Sequence, residues 1–187
     1  ELNDGRQVVV TGRHRLALYK RNGIEEIPAH IIREADGWTA EDAAVVDALL
    51  NILDEKGTIS DYVRFFDSTK PTKEEVDRHG LASRRKGQDA WSFYEGAGTD
   101  LRAATDFTGQ REDGIRPEQA AVIAREAPVG ADKKNAAIQR IGIKKALEGA
   151  KEKYLEAYMR SVVRNARNVA ESNAGRVSQD DMFDGLL

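Results

Sequence analysis

Residues 8–23 read VVVTGRHRLALYKRNG. Three consecutive valines run into Thr11-Gly12, and an apolar, helix-compatible run follows Arg13, His14 and Arg15. Whether the valines make a strand decides the fold class. β-branched residues favour extended chain, so 6–11 is predicted to be a short strand. Leu16, Ala17, Tyr19 and Lys20 fall at helical spacing, which predicts a helix over 13–22. Asn22-Gly23 is a stop signal for it. Residues 27–33, IPAHIIR, alternate well enough for a second strand. The unit is then strand–helix–strand, which favours a parallel or mixed pair with a right-handed crossover.

Beyond Asp36-Gly37 the sequence predicts helices alone. Thr39 is a good N-cap with Asp42 three residues later. A helix over 40–54 follows, with Ala43, Val46, Leu49, Leu50 and Leu53 at helical spacing. Further helices are predicted at 59–66, 72–79, 82–95, 99–107, 117–127 and 132–172. Gly80, Gly96-Ala97-Gly98, the loop 110–114 and Pro128-Val129-Gly130 separate them. Pro71 and Pro117 are assigned to first-turn positions, where a missing N–H costs nothing. Gly142 and Gly149 are the points at which the long last helix is expected to kink or divide. The fold class read from the sequence is α+β and predominantly helical. It has a small, truncated strand–helix–strand unit, an all-α helix-turn-helix-like region and a long C-terminal helix. The expected divisions are 1–66, 67–130 and 131–187.

The 187 residues suffice for one domain with a real core, or for two small ones. Net charge is only −3, so bulk charge does not announce a nucleic-acid binder. Its distribution says more. Residues 1–70 carry nine Lys/Arg against thirteen Asp/Glu, whereas 133–170 carry ten against three. The surface is therefore expected to be electrostatically segregated. The absence of cysteine removes disulfides, thiol catalysis and Cys-based zinc sites, and fits a reducing, cytoplasmic setting. No apolar run is long enough to span a membrane. The chain opens at Glu1, already mid-motif, and reads as a piece of a longer polypeptide or a processed product.

A strand that ends in Gly-Arg at a helix start offers backbone N–H groups, a positive helix terminus and a guanidinium fork. Together these suit a phosphate or another anion. A solvated first turn, with Arg15 on a nearby carboxylate, fits the same residues. The wider order of TGRHRLALYKRNG, IPAHIIREADGWTAEDA and LNILDEKGTISDYVRFF resembles the N-terminal domain of the ParB family, within the ParB/sulfiredoxin superfamily. The likeness is to ParB-like domains of large phage, prophage and mobile-element polypeptides. Gly12, Arg13 and Arg15 match the family's first box, and His14 stands where the second of its paired arginines would fall. Asn51 matches the asparagine of the second box. Leu50 and Asp54 stand where that box has Glu and Arg. The resemblance implies a phosphate pocket at Gly12, Arg13, His14, Arg15 and Asn51, with CTP or another nucleotide as its ligand. Asp54 argues against hydrolysis of that nucleotide.

In that family a helix-turn-helix follows the second box. PTKEEVDRHGLASRRKGQDAWSFYEGAG, residues 71–98, stands at the matching place. Residues 72–79 would be the first helix, Gly80 the turn glycine and 83–94 the recognition helix. Ser83, Arg84, Arg85, Lys86 and Gln88 would then cluster at its N-terminal end, where bases and phosphates are reached. Arg, Lys and Gln are side chains that read or grip DNA. Ala90, Trp91 and Tyr94 would form the buried side. Gly87 falls where the motif wants an apolar helix former, and Asp89 puts a negative charge near the phosphates. A plain helical hairpin with a solvated Arg-Arg-Lys face is the other reading. GIRPEQAAVIAREAP, residues 114–128, resembles the family helix that follows the motif.

His14, His30 and His79 have no metal-ligand spacing, and His30 reads as a packed or edge strand residue. Adjacent carboxylates such as Glu25-Glu26 diverge by about 100° on a helix and read as solubilising charge. Ser60 and Ser83 read as caps. The basic stretch 133–170 fits either a phosphate-contacting face or a solvated, oligomer-forming helix. In the tail, Gln179, Met182 and Phe183 resemble the short peptide with which many bacterial proteins bind the sliding clamp. The expected function is a DNA-associated, non-catalytic module whose partners are DNA, sibling domains of a parent polypeptide, a second copy and the clamp, with no membrane. Two rivals stay open. One is a ParB-like nuclease or nucleotide hydrolase, with Glu34 or Asp54 as metal ligands near Arg13. The other is a helical scaffold piece.

Overall fold

The computed structural model describes the backbone of residues 1–10 and 12–183, and their side chains apart from Arg13, His14 and 173–183. It divides into two compact units, Glu1–Lys73 and Glu74–Leu187. Helices dominate both: α1 (Arg13–Arg21), α2 (Ala40–Leu53) and α3 (Ile59–Thr69), then α4 (Lys73–Arg78), α5 (Arg85–Gly96), α6 (Thr99–Ala104), α7 (Pro117–Glu126), α8 (Asn135–Leu147) and α9 (Glu152–Phe183).

The expected strand–helix–strand unit does not form among the described residues. Residues 6–10 and 24–33 carry no strand, and the only β contact described is an isolated parallel bridge, Thr105 with Ile115. The early segments are tied instead by single backbone contacts: the Glu1 amino group donates to the Ile32 carbonyl (2.7 Å), and Glu34 N–H donates to the Glu1 carbonyl (3.1 Å). Val8, Val9 and Ile31 remain exposed. A two-stranded ribbon with neither face covered is marginal at best, so β-propensity alone does not make a sheet. His30 is likewise exposed rather than packed.

The order in the first unit comes from α2 and α3. Thr39 and Asp42 form the expected capping box: Thr39 N–H donates to the Asp42 carboxylate (2.9 Å), and Asp42 N–H donates to Thr39 Oγ1 (3.1 Å). The Thr39 hydroxyl, which donates to the Asp42 carboxylate (2.7 Å), and then the Thr39 N–H hold that carboxyl below its ordinary value. A second box, Thr58 with Asp61, opens α3, so Thr58 rather than Ser60 is the cap. Ala43, Ala48 and Ile52 of α2 close on Ile59, Tyr62, Val63 and Phe66 of α3. Helix α1 packs against none of the other helices among the described residues.

In the second unit α7 is enclosed. Residues 119–124 are all buried, with α5, α9, α8 and α6 around them. Pro117 takes the first-turn position as expected, but Pro71 precedes α4 and lies outside its first turn. The long last helix is divided at Gly149 (φ +88°) into α8 and α9. Gly142 is not a break. A Cβ there would lie 2.7 Å from Met159 Sδ and 3.0 Å from Ile123 Cγ1, so the glycine lets α8 approach α9 and α7 closely.

Asp106 organises the loop between α6 and α7. It accepts from Arg111 N–H (2.9 Å) and from Thr108 N–H and Oγ1 (2.9 and 2.7 Å). These bonds, Arg111 first, bring its carboxyl down to about 2. A depressed carboxyl stabilises the fold above its unfolded value, and that contribution is lost as pH falls through the folded value. We expect Asp106→Asn to narrow the acid-induced loss of stability. Urea midpoints measured from about pH 5 to pH 2 should fall more steeply in the wild type than in the variant. Parallel curves would mean that the loop does not depend on the charge.

Candidate nucleic-acid interface

Helices α4 and α5 lie within the stretch 71–98, and among the described residues the two make no helix-to-helix contact. Gly80, with φ +65°, makes the turn. Its carbonyl accepts from Ser83 N–H (3.1 Å) and from Ser83 Oγ (2.6 Å). Ser83 is therefore a turn residue, and Arg84 is the N-cap of α5. The turn is held against α5 by Gly87, where an added Cβ would sit 1.9 Å from the Leu81 carbonyl oxygen. No other residue type allows that approach. The residue that looks like a defect in the helix is the point at which the turn closes on α5.

The faces of α5 separate sharply. Ser83, Arg84, Arg85, Lys86 and Gln88 are exposed, while Gly87, Asp89, Ala90, Trp91 and Phe93 are buried and Tyr94 is half-buried. Asp89 does not face solvent beside the cations. It turns toward α7, where Arg125 Nη1 donates to it (3.1 Å), and Arg85 Nε approaches its other oxygen (3.6 Å). Burial raises the Asp89 carboxyl, against the opposing pull of Arg125 and Arg85. The expected clash of Asp89 with phosphates is thus replaced by an internal ion pair.

Comparison with protein-family models, curated proteins and solved structures finds no match to this chain.

The residues expected to form a phosphate pocket lie on separate segments of the first unit. Gly12 is the N-cap of α1 in the left-handed conformation (φ +78°), which suits glycine. Arg15 is exposed, and the side chains of Arg13 and His14 lie outside the described residues. Asn51 sits on α2, half-buried, with its Nδ2 donating to Asp61 Oδ1 (3.5 Å) beside the α3 capping box. With α1 packed on no other helix among the described residues, helix packing does not join Asn51 to the Gly12 segment. Glu34 accepts from Asn3 N–H (2.8 Å), and Asp54 pairs with Lys56 (3.4 Å). No cluster of three or more His, Asp or Glu side chains that could hold a metal ion occurs among the described residues. Gln179, Met182 and Phe183 fall in the backbone of α9, and their side chains lie outside the described residues. No helix among the described residues is long and apolar enough to cross a membrane.

Two features escape sequence reading. One is the ion network across α7: Arg125 also meets Glu156 (3.4 Å) and Glu126 (3.6 Å), and Arg160 meets Glu126 (3.2 Å) and Glu156. The other is Gln139 of α8, fully buried. Its Nε2 donates to the Gly96 and Ala127 carbonyls (2.7 and 2.8 Å), and its Oε1 accepts from Gly98 N–H (2.9 Å). It ties the end of α5, the start of α6 and the end of α7 to one side chain.

Proposed function

We propose that the chain is a DNA-associated module that presents the amino end of α5 to the duplex. The exposed row Arg84, Arg85, Lys86 and Gln88, on a helix set by a glycine turn, is the observation that carries this reading. Arginine and lysine there would hold phosphates, and Arg or Gln could reach base edges. The resemblance of residues 71–98 to the ParB-family motif supports the same reading. Nothing in it calls for a reaction.

The test is fluorescence anisotropy with a labelled duplex across a salt series. The wild type should bind at low ionic strength with a steep salt dependence. Replacing Arg84, Arg85 and Lys86 with alanine should weaken binding roughly tenfold to a hundredfold and flatten the slope of log K against log salt by about 3. Helical content by circular dichroism should be retained, because the three side chains are exposed and Asp89 keeps its hydrogen bond from Arg125 when Arg85 is removed. A second reading, a helical scaffold piece, draws support from α2, where Val46, Leu50 and Leu53 are exposed on one side. Absence of any salt-dependent binding to the duplex would favour it and overturn the first.

A further inference from the structure

Helix α1 has little to hold it. It is nine residues long, its N-cap Gly12 supplies no side-chain hydrogen bond, and it packs on no other helix among the described residues. Isolated helices shorter than about 12–15 residues are marginal in water, so α1 calls for a surface to lie against. Leu18 is exposed, with Arg15 three residues before it and Arg21 three residues after, all on one face. The helix carries Arg13, Arg15, Lys20 and Arg21 and no carboxylate.

Helix α2 presents the counterpart. Val46, Leu50 and Leu53 recur at i, i+4 and i+7 and are exposed on one face, whereas Ala48 and Ile52 turn toward α3. Beside Leu50 stand Asp47, three residues before, and Asp54, four after. Asp54 also pairs with Lys56 at the surface (3.4 Å). The helix carries Glu41, Asp42 and Asp47 and no Lys or Arg. The two arginines of α1 are about 9 Å apart along its axis, and the two aspartates about 10 Å apart along that of α2. A leucine framed by two cations therefore matches a leucine framed by two carboxylates. One chain does not bring its own pair together. The Glu1 amino group donates to the Ile32 carbonyl (2.7 Å), and Asn3 N–H donates to the Glu34 carboxylate (2.8 Å), so the segment that bears α1 is a loop closed ahead of α2.

We propose that α1 of one copy docks on the α2 face of Val46, Leu50 and Leu53 in a second copy. A two-fold axis makes the contact twice, with α1 of each on α2 of the other. This pairing goes beyond the DNA reading and uses none of the residues of α5.

The experiment uses the full chain without DNA. The sequence has no cysteine, so introduced thiols are the only ones. Chains carrying Leu18→Cys are mixed with chains carrying Leu50→Cys and treated with a short bismaleimide. An 18–50 product of two chains should form in preference to either homodimeric product, because the two-fold leaves the other contact of the mixed dimer native. Reversing Arg15 and Arg21 to Glu in the Leu18→Cys chain should lower that yield at least tenfold at low salt. Sedimentation of the wild type should show a concentration-dependent dimer. Leu18→Ser should raise its Kd about a hundredfold, since each dimer loses two leucine contacts. Because α1 packs on no other helix among the described residues, that variant leaves the packing of α2 on α3 as it is. If the mixed chains give no 18–50 product, but Leu18→Cys and Leu50→Cys in one chain are bridged within it, α1 covers its own α2 and the proposal fails. A dominant 50–50 product means that two α2 faces meet directly, and the proposal fails likewise. A wild type that stays monomeric at every concentration overturns it and leaves the α5 reading standing.

Discussion

Replacing Gly87 with alanine is expected to destabilise the second unit by about 3 kcal/mol, against the sign that helix propensity predicts. In an open helix interior the same change stabilises by about 1 kcal/mol. Here the new Cβ would stand 1.9 Å from the Leu81 carbonyl oxygen, with Ala82 Cα at 3.3 Å. Both neighbours are backbone, so no side-chain rotation relieves the clash. Either the turn opens or α5 shifts away from it, and a shift of α5 loosens its packing on α7. Denaturant unfolding checks this. Trp38 and Trp91 are the chain's two tryptophans, so a Trp38→Phe background leaves Trp91 of α5 to report on the second unit alone. A variant as stable as its parent, or more stable, would show that the turn does not close on the helix as described.

Gln139→Leu, a change of little volume, is expected to cost a similar amount. It strips the Ala127 carbonyl and the Gly98 N–H of their partner, while the Gly96 carbonyl keeps the Val129 N–H (3.0 Å). Each buried polar group left unsatisfied costs about 1–3 kcal/mol, which places the total near 3 kcal/mol. Gln139→Glu discriminates the cause. It keeps the acceptor for Gly98 but turns a second oxygen toward two carbonyls, so at neutral pH it should be at least as damaging as leucine. If both variants unfold with the wild-type midpoint, the three bonds contribute nothing net and the helix ends are held by packing alone.

Much of the helical order was legible in the residues, because its signals are local. The Thr39–Asp42 box, the Gly80 turn, Pro117 at the start of α7 and the break at Gly149 all act within one or two turns of chain. What failed was whatever needed a distant partner. The valines at 8–10 have the propensity of a strand, but no neighbouring strand pairs with them. Asp89 looked misplaced because its counter-ion, Arg125, stands 36 residues away. Gly87 looked like a fault because the atom that excludes a side chain belongs to the turn before it. In the basic stretch, counting charges could not separate Arg140, already paired, from Arg164 and Arg167. The same limit applies to the candidate interface. The row at the start of α5 could be read from residue type, whereas the ion pairs that tie Asp89 behind it to Arg125, and Arg125 to Glu156, are revealed by no spacing.

The enclosure of α7 bears on how this chain can change over generations. A surface helix absorbs substitutions on its outward side, but residues 119–124 have no outward side. A larger residue at any of these positions strains a neighbour, and a smaller one leaves a hole, so the tolerated alphabet at each is narrow. Substitutions are therefore expected to be tolerated best on the encircling helices and above all on α9, whose residues 164–172 are exposed throughout. The unit can thus acquire new surface chemistry by rewriting α9 while the rod at its centre stays as it is.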